Sequence, residues 1–407
     1  MTTDLDPYGL DSAALTALVE EFGEPAFRAD QLRSWLVRGV DDPAAMTNLP
    51  ATMRARLQER FGPARPRLEA HTVADDGRTH KLLLAFPDGE RVETVLMLYD
   101  GRATVCVSTQ AGCAMGCPFC ATGQAGFRRQ LSAGEVVRQV VVADAALRSG
   151  RLGDQQLPDR RVDHVTNVVF MGMGEPLANL EATRHAIRWC NDPDGFRLGA
   201  RHLTVSTVGL VPAMARLADE GLQLTLAVSL HAANDPLRDE LVPVNRQHPL
   251  DELADAMIAW RERTNRRASL EWCLIGGVND RPADVRELAT FAHRVRAHVN
   301  VIPMNPTPGV RWREPEGATI RRFIAGLEEA GVNVTLRDTR GRDGDAACGQ
   351  LLARYTLGSG ATLPAAVGAA ERVEQRPEAD LAGGVEQRPE ADLVGGVDLA
   401  DTTGLTS

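Results

Sequence analysis

The chain has 407 residues, of which 43% are hydrophobic and 25% charged, close to the averages of soluble globular proteins. This length allows one large core and a smaller domain. No apolar segment follows basic residues at the N-terminus, and no run of 18 uncharged apolar residues occurs. These absences argue against an exported or membrane-spanning chain. We therefore expect a cytoplasmic protein without a membrane partner, and we expect it to be monomeric.

The net charge of −10 is unusual for a protein that binds nucleic acid, but the acidic residues are unevenly placed. Residues 371–407 carry nine Asp or Glu against three Arg, which leaves a net charge of −4 for residues 1–370. Lys81 is the single lysine of the chain, and the other 44 of its 45 basic residues are arginines. Arginine pairs well with phosphate oxygens. The charge therefore neither establishes nor excludes an RNA partner.

The first 62 residues have helical periodicity. Residues 12–22, 25–39 and 49–61 are predicted as amphipathic helices, the first with Ser12 as its N-terminal cap. This pattern predicts a small helical domain over residues 1–62. Its arginines make it a candidate RNA-binding accessory domain, namely Arg28, Arg33, Arg38, Arg54 and Arg56. Strand-like alternation follows in residues 79–86 and 90–99, on either side of a Pro-Asp-Gly turn. Residues 63–102 are therefore interpreted as a β-hairpin linker.

From residue 103 the sequence alternates strands with helices, which indicates a parallel sheet. The fold class is α/β, with a partial (β/α)6 barrel over residues 103–356. The predicted strands are 103–108, 165–172, 203–206, 224–230, 269–275, 299–304 and, last, 331–337. The predicted helices are 132–149, 180–190, 212–221, 250–264, 282–295 and 316–330. Residues 357–407 contain a twelve-residue repeat and no aromatic residue after Tyr355, and they are predicted to be a disordered acidic tail.

Polar or glycine-rich residues fall where the predicted strands end, the edge at which parallel α/β proteins form their sites. They are the cysteine loop after the first strand, Gly172 to Pro176 after the second, then Ser206, Ser229, His231, Asn279 and Asn305. Each of the last five has an alternative role as a polar group satisfied within the fold. Their shared position favours a function at one mouth of the barrel.

Cys113, Cys117 and Cys120 place three thiols on one short loop, in which Gly112 and Gly116 allow close wrapping. A structural zinc site needs a fourth ligand, usually from a second CxxC pair, and no such pair follows. Three ligands suit a [4Fe–4S] cluster with one open iron. The cluster is therefore favoured over zinc.

Several motifs extend the CxxxCxxC pattern, which is that of the radical S-adenosylmethionine (SAM) superfamily. They are CVSTQAGCAMGCPFCATG, VFMGMGEPLAN, STVGL, SLHA, IPMNP and RGRDGDAACGQL. Together they resemble the RlmN family over about residues 10–356. The resemblance implies a dual-specificity methyltransferase that acts on adenine C2 in 23S rRNA and tRNA, the tRNA position being the purine next to the anticodon.

The resemblance also implies how the cofactors are held. A [4Fe–4S] cluster on Cys113, Cys117 and Cys120 would chelate SAM through its open iron, and two SAM molecules would be used per turnover. Gly174 and Glu175 match the GGEP element that binds the methionine amino group. Further SAM-binding positions carried over from the resemblance are Ser206, Ser229, Leu230, His231 and Asn305.

Two further cysteines complete the implied chemistry. Cys348 matches the cysteine that carries the methyl group, and Cys106 matches the cysteine that later attacks its sulfur. Glu93 matches the proton acceptor. The alternatives are a small buried hydrophobic residue for Cys106 and a solvent-facing strand residue for Glu93. Cys190 and Cys273 match no motif and are interpreted as core residues.

Two other functions remain open from the sequence. A related resistance methyltransferase that modifies adenine C8 shares these motifs, and only the N-terminal helical segment favours C2. The other alternative is a non-catalytic iron–sulfur or zinc protein that binds RNA. The expected partners are 23S rRNA, tRNA and an electron donor such as flavodoxin, and no particular arginine is assigned to RNA.

Overall fold

The structure of the protein is a computed structural model, which describes residues 5–62, 66–152, 155–157, 162–305, 310 and 312–337. Cys348 and the predicted tail, 357–407, lie outside the described residues. The α-helices are α1 Ser12–Glu21, α2 Phe27–Val37, α3 Ala51–Arg60, α4 Ala121–Gln124, α5 Ala133–Ser149, α6 Leu180–Asn191, α7 Val211–Ala218, α8 Asp235–Leu241, α9 Leu250–Thr264, α10 Pro282–Val295 and α11 Gly317–Glu329. Short 3-10 helices lie at Pro7–Gly9, Pro43–Ala45, Asp75–Gly77, Pro176–Asn179, Ala200–His202 and Pro243–Arg246.

The strands are β1 Arg67–Ala74, β2 Thr79–Ala85, β3 Arg91–Tyr99, β4 Arg102–Cys106, β5 Gln110–Gly112, β6 Phe127–Gln130, β7 Arg151–Leu152, β8 Gln155–Gln156, β9 Asn167–Phe170, β10 Leu203–Thr207, β11 Thr225–Ser229, β12 Ser269–Leu274, β13 His298–Pro303 and β14 Val334–Leu336. Within the described part of the chain, ten of them form one sheet in the order β1-β2-β3-β4-β9-β10-β11-β12-β13-β14. The pairs from β4 to β14 are parallel, and β1 to β4 pair antiparallel.

The predicted α/β class, with a partial barrel of parallel strands, is confirmed. All seven predicted barrel strands are present as β4, β9, β10, β11, β12, β13 and β14. The hairpin of β2 and β3 is also present, but it is more than a linker, because it and β1 extend the barrel sheet directly. After α5, the chain forms the short antiparallel pair β7 and β8.

The N-terminal helices occur where the sequence predicts them, with one correction. The cap of α1 is Asp11, whose side chain accepts the N–H of Ala14 at 2.9 Å, and Ser12 is the first helical residue. Either residue type caps well, so composition does not separate two adjacent candidates. The helix α8 was not predicted. It has seven residues, begins after Asn234 with a proline in its first turn, and has too few turns for a clear periodicity.

One continuous hydrophobic core joins the N-terminal helices to the barrel. Ion pairs reinforce the contact, because Arg138 on α5 bonds Asp6 at 2.9 Å and Asp41 at 2.6 Å. Arg33 on α2 also reaches Asp192, just beyond α6, at 2.8 Å. In the part of the chain that the structure describes, no helix is both long and apolar enough to cross a membrane.

Candidate active site

A cavity of about 620 Å³ lies against the strands of the barrel, within the size range of small-molecule sites. Val95 and Met97 of β3 line it on one side, and residues of β13 and β14 line it on the other. It brings together most of the predicted site residues, namely Cys106, Cys113, Cys117, Cys120, Gly174, Glu175, Ser206, Ser229, His231 and Asn305.

The cysteine loop connects β5 to α4 and depends on a close backbone approach. Gly112 has φ +75°, and a Cβ placed there would lie 1.9 Å from the carbonyl oxygen of Gly126. Cys113 donates its N–H to that same carbonyl at 3.0 Å, and Cys120 donates to the Cys117 carbonyl at 3.2 Å. The backbone therefore folds the loop so that all three thiols face the cavity.

Burial makes the thiols of Cys113 and Cys117 poor acids in the absence of a cation. Desolvation raises the pKa of Cys113 to about 11 and also raises the pKa of Cys117, and repulsion between the cysteines adds to both effects. No three His, Cys, Asp or Glu side chains of the described residues converge closely enough to hold a single metal ion. A structural zinc ion needs four ligands around one centre, whereas each thiolate of a [4Fe–4S] cluster binds its own iron. The three thiols therefore fit a cluster with one open iron.

Glu175 is buried beside the loop and is bound tightly by the backbone. Its Oε1 and Oε2 accept the N–H groups of Leu177 and Val208, each at 3.0 Å. Burial nevertheless raises the pKa of Glu175 to about 7, against the effect of these hydrogen bonds. A carboxylate has lone pairs beyond the two used here, so it can still accept bonds from a ligand ammonium.

Gln110 was missed by the sequence reasoning, although it lies within the cysteine motif. Its Oε1 accepts the N–H of Glu175 at 2.9 Å. Gly174 has φ +97°, and a Cβ there would lie 2.5 Å from the Cβ of Gln110. Gln110 and Gly174 thus fix the cysteine loop and Glu175 against each other.

His231 follows β11 in a left-handed conformation, with φ +59°. Its Nδ1 accepts the N–H of Cys273 at 2.9 Å, and the Phe119 ring packs edge-on at 4.8 Å. Burial, followed by the charge of Arg238, lowers the pKa of His231 to about 3. The imidazole is therefore neutral at the cavity wall.

The remaining residues predicted to bind SAM differ in how deeply they are buried. Ser206 lies inside β10 rather than at its end, Ser229 ends β11, and both are half-buried in the cavity wall. Asn305 is buried there as well. Leu230 is fully buried outside the wall, and its N–H donates to the Glu271 carbonyl at 3.0 Å.

Arg238, on α8, is a second residue that sequence reasoning missed. It is fully buried and donates to the carbonyl oxygens of Val208 at 2.7 Å and Leu230 at 3.2 Å, and to Asn245 Oδ1 at 2.7 Å. It thereby ties together the segments that follow β10 and β11. Its partners lie in the segments that follow β10 and β11 and in the 3-10 helix after α8, so no local motif points to it.

Cys106 ends β4, is 8% exposed and lines the cavity. Glu93 is fully buried, which contradicts the alternative of a solvent-facing side chain. Its carboxylate lies 3.2 Å from Lys81 Nζ. Cys190 is a core residue as expected, whereas Cys273 is half-buried in the cavity wall, because β12 turns that side chain toward the barrel interior.

Comparisons with known proteins agree with this site. A family model described as the Radical SAM superfamily matches residues 107–292. A second, described as the ribosomal RNA large subunit methyltransferase N-terminal domain, matches residues 5–62. A solved radical SAM methyltransferase from Sphaerobacter thermophilus is 45% identical, with a TM-score of 0.80 over 86% of this chain and 100% of that one.

Curated relatives are similar over most of their length. A probable dual-specificity RNA methyltransferase RlmN of Salinispora tropica is 49% identical over 346 residues, 84% of this chain and 91% of the relative. A protein of the same description from Frankia alni is 52% identical over 81% of this chain and 79% of the relative.

The cysteine loop, the glycine-rich turn before Glu175 and the parallel barrel define a radical SAM enzyme. Such an enzyme uses a [4Fe–4S] cluster and S-adenosylmethionine, as predicted. The match to the N-terminal domain model, together with sequence identity over most of the chain, identifies one family within this class. The chain belongs to the RlmN family of dual-specificity RNA methyltransferases.

Proposed function

We propose that this radical SAM RNA methyltransferase methylates C2 of an adenine in 23S rRNA and of the purine next to the anticodon in some tRNAs. One observation carries the proposal: the thiol of Cys106 shares one cavity with the three loop cysteines and Glu175. A thiol in that place has no role in binding the cluster but suits a reaction that proceeds through a protein cysteine. The names of the relatives support RNA as the substrate.

The reaction needs a radical because C2 is an electron-poor carbon between two ring nitrogens. It does not attack a methyl sulfonium as an amine or a phenolate does. When bound, the cluster and SAM supply a 5′-deoxyadenosyl radical. Everything else required, namely positioning, a methyl carrier and a base, comes from the chain itself.

The residues of the cavity wall divide into two groups. Cys113, Cys117 and Cys120 hold the cluster. Gly174 and Glu175 receive the methionine amino group. Burial raises the pKa of Glu175 to about 7, and an ammonium group beside the carboxylate stabilises its charged form. Ser206, Ser229, His231 and Asn305 of the wall position the rest of the cofactor, together with the backbone of Leu230, which lies outside the wall next to Ser229. Two SAM molecules are used in each turnover.

Cys348 carries the methyl group that becomes the link to RNA, and Cys106 releases the product. The Cys106 thiolate attacks the sulfur of Cys348. The sulfur–carbon bond to the base breaks, the released carbon takes up a proton to become the methyl group, and a disulfide is left. Reduction then restores both thiols, and the separate electron donor expected for the enzyme is a protein such as flavodoxin. The target base has to leave its stack to reach a buried cavity, as in other base-modifying enzymes.

Glu93 is the proposed proton acceptor for the hydrogen on C2. It lies on β3 two residues before Val95, which lines the cavity next to Cys106. The N–H of Glu93 contacts Met173 Sδ at 3.4 Å, and Ser108 Oγ donates to its carbonyl at 2.6 Å. The strand is therefore held at both backbone groups of Glu93, which suits a positioned base.

The position of the methyl group is tested by incubating the anaerobic, cluster-loaded enzyme with SAM and unmodified 23S rRNA, then analysing the digested RNA by mass spectrometry. The expected product is 2-methyladenosine. A product of 8-methyladenosine would assign the enzyme to C8 instead. Absence of 5′-deoxyadenosine would reject the radical reaction altogether.

The role of Cys106 is tested by Cys106→Ala. This variant should form an RNA adduct at Cys348 that cannot be released. The adduct should be visible as RNA that co-purifies with the protein and stays attached under denaturing conditions. Cys190→Ala is the matched control, because Cys190 is buried in α6 away from the cavity, and it should give no adduct. Recovery of RNA-free Cys106→Ala protein with normal turnover would overturn the assignment.

A further inference from the structure

Lys81 is the single lysine in a chain with 45 basic residues. It is 5% exposed, whereas lysines are almost never fully buried unless they are paired. Arginine has taken every other basic position, including many on the surface. A position that keeps lysine under such a bias calls for an explanation in terms of its surroundings.

The surroundings of Lys81 are set by the register of β2 and β3. Lys81 is paired with Val95, and Glu93 lies two residues from Val95 on the same face. The two side chains meet as a buried ion pair, with Lys81 Nζ 3.2 Å from Glu93 Oε1. Val95 is in turn paired with Cys106, and both line the cavity. The pair therefore borders the active site.

Among the described residues, Arg91 and Cys106 are further charged or titratable groups near this face. Arg91, two residues before Glu93, places its Nε 2.9 Å from the carboxylate of Glu69 on β1. Cys106 on β4 contributes a thiol. Lys81 is thus the ammonium group that directly faces Glu93, and Arg91 is engaged with a different carboxylate.

Burial disfavours the charged form of a carboxylate, and an ammonium at ion-pair distance favours it. A proton acceptor needs the charged form before it can act. We propose that Lys81 is a positioning residue that keeps Glu93 ionised and directs its carboxylate toward the cavity. This inference rests on the proposed role of Glu93 as the base.

The chemistry of lysine suits this role better than that of arginine. The ammonium of lysine is a compact charge at the end of a flexible chain and can contact a single carboxylate oxygen. The guanidinium of arginine is planar and wider. A guanidinium at position 81 would need more space between β2 and β3 than the fully buried Glu93 leaves. The retained lysine therefore matches the shape of the site as well as its charge.

The first test uses Lys81→Met, which keeps the length of the side chain and removes its charge. Methylation of RNA should fall about tenfold or more, and the acidic limb of the pH profile should move to higher pH. Lys81→Arg should keep the pH profile near that of the wild type while lowering the rate. Arg148→Met is the control, because Arg148 also pairs with a buried carboxylate, Asp144, but on α5.

The second test does not depend on turnover or on the folding of a Lys81 variant. Enzyme labelled with 13C at lysine Cε gives one lysine signal in NMR spectra. At the same pH, the chemical shift of this signal should differ between the wild type and Glu93→Gln, because in the variant the ammonium has lost the carboxylate that it contacts at 3.2 Å.

The outcomes separate this inference from the proposed function. If Glu93→Gln methylates RNA normally, the role of Glu93 as base is wrong. If Glu93→Gln is inactive but Lys81→Met keeps the wild-type rate and pH profile, Glu93 stands and the inference about Lys81 fails. An identical chemical shift of the lysine signal in wild type and Glu93→Gln would also overturn it.

Discussion

His231 combines a left-handed backbone with a ring nitrogen that accepts the N–H of Cys273. Few residues satisfy both demands, since a positive φ is unfavourable for most side chains. Asparagine tolerates this conformation, and its Oδ1 occupies a position close to that of Nδ1. A change to Asn therefore removes the titrating ring while keeping the acceptor.

Acid destabilisation should depend partly on His231. Its pKa is about 3 in the folded protein and about 6.5 when unfolded, so the unfolded chain binds an extra proton between these values. The free energy of unfolding should therefore fall as pH drops below 6.5, by up to about 1.4 kcal/mol per pH unit from this group. Thermal unfolding at pH 5 and pH 7 should show a smaller loss for His231→Asn. His164→Asn, at an exposed histidine, should behave as wild type; equal losses in all three proteins would contradict this.

The cysteine loop should not tolerate a side chain at Gly112. In Gly112→Ala the new Cβ would overlap the Gly126 carbonyl, which also receives the N–H of Cys113. Iron and sulfide content per chain should fall sharply. Gly101→Ala is a matched control, because Gly101 also has positive φ but has nothing within 4 Å of a Cβ. Both variants bear a conformational cost of about 1 kcal/mol, so equal cluster loading would contradict the importance of the close approach.

At the scale of elements, α8 shows how a short helix organises the cavity. It supplies Arg238, whose guanidinium connects the segments after β10 and β11. Arg238→Met should lower the free energy of unfolding by on the order of 3 kcal/mol, because three buried acceptors lose a charged donor. It should also weaken SAM binding, since Val208 supports Glu175.

These effects are measured by chemical denaturation and by equilibrium binding of SAM to the cluster-loaded enzyme. Arg216→Met is the control, because Arg216 lies on α7 and its ion pair with Glu181 is exposed. A variant of Arg238 with wild-type stability and affinity would show that the carbonyl contacts are dispensable.

Most elements could be predicted from local sequence. α9 and α10 have the predicted bounds, because α10 starts at a proline and both are regular amphipathic helices of 14 or 15 residues. The cysteine loop and the residues after the strands could also be found locally. The contacts of Arg238, Gln110 and Lys81 could not, because each depends on the exact register or packing of neighbouring segments and not on a local motif.

At the scale of the whole molecule, Arg138 links the N-terminal helices to the barrel through Asp6 and Asp41. Removing one member of a buried ion pair leaves the charge of its partner uncompensated, which lowers the free energy of unfolding by about 3–5 kcal/mol. Arg138→Met should therefore destabilise the protein by this amount and make the N-terminal helices more susceptible to limited proteolysis. Arg216→Met, which removes only an exposed ion pair with Glu181, should do neither, and equal digestion of both variants would contradict the link.

The order of strands in the main sheet follows the order of the chain, since the pairs β5–β6 and β7–β8 form small sheets of their own. During synthesis on the ribosome, each new strand of the main sheet therefore meets an edge that the earlier chain has already formed. After β1, each main-sheet strand can pair with the strand before it as soon as it is synthesised. This limits the time for which unpaired strand edges are exposed in aggregation-prone intermediates. The growing edge moves from β1 through β4 and ends, among the described residues, at the three-residue strand β14. An edge this short offers little backbone for pairing with another chain.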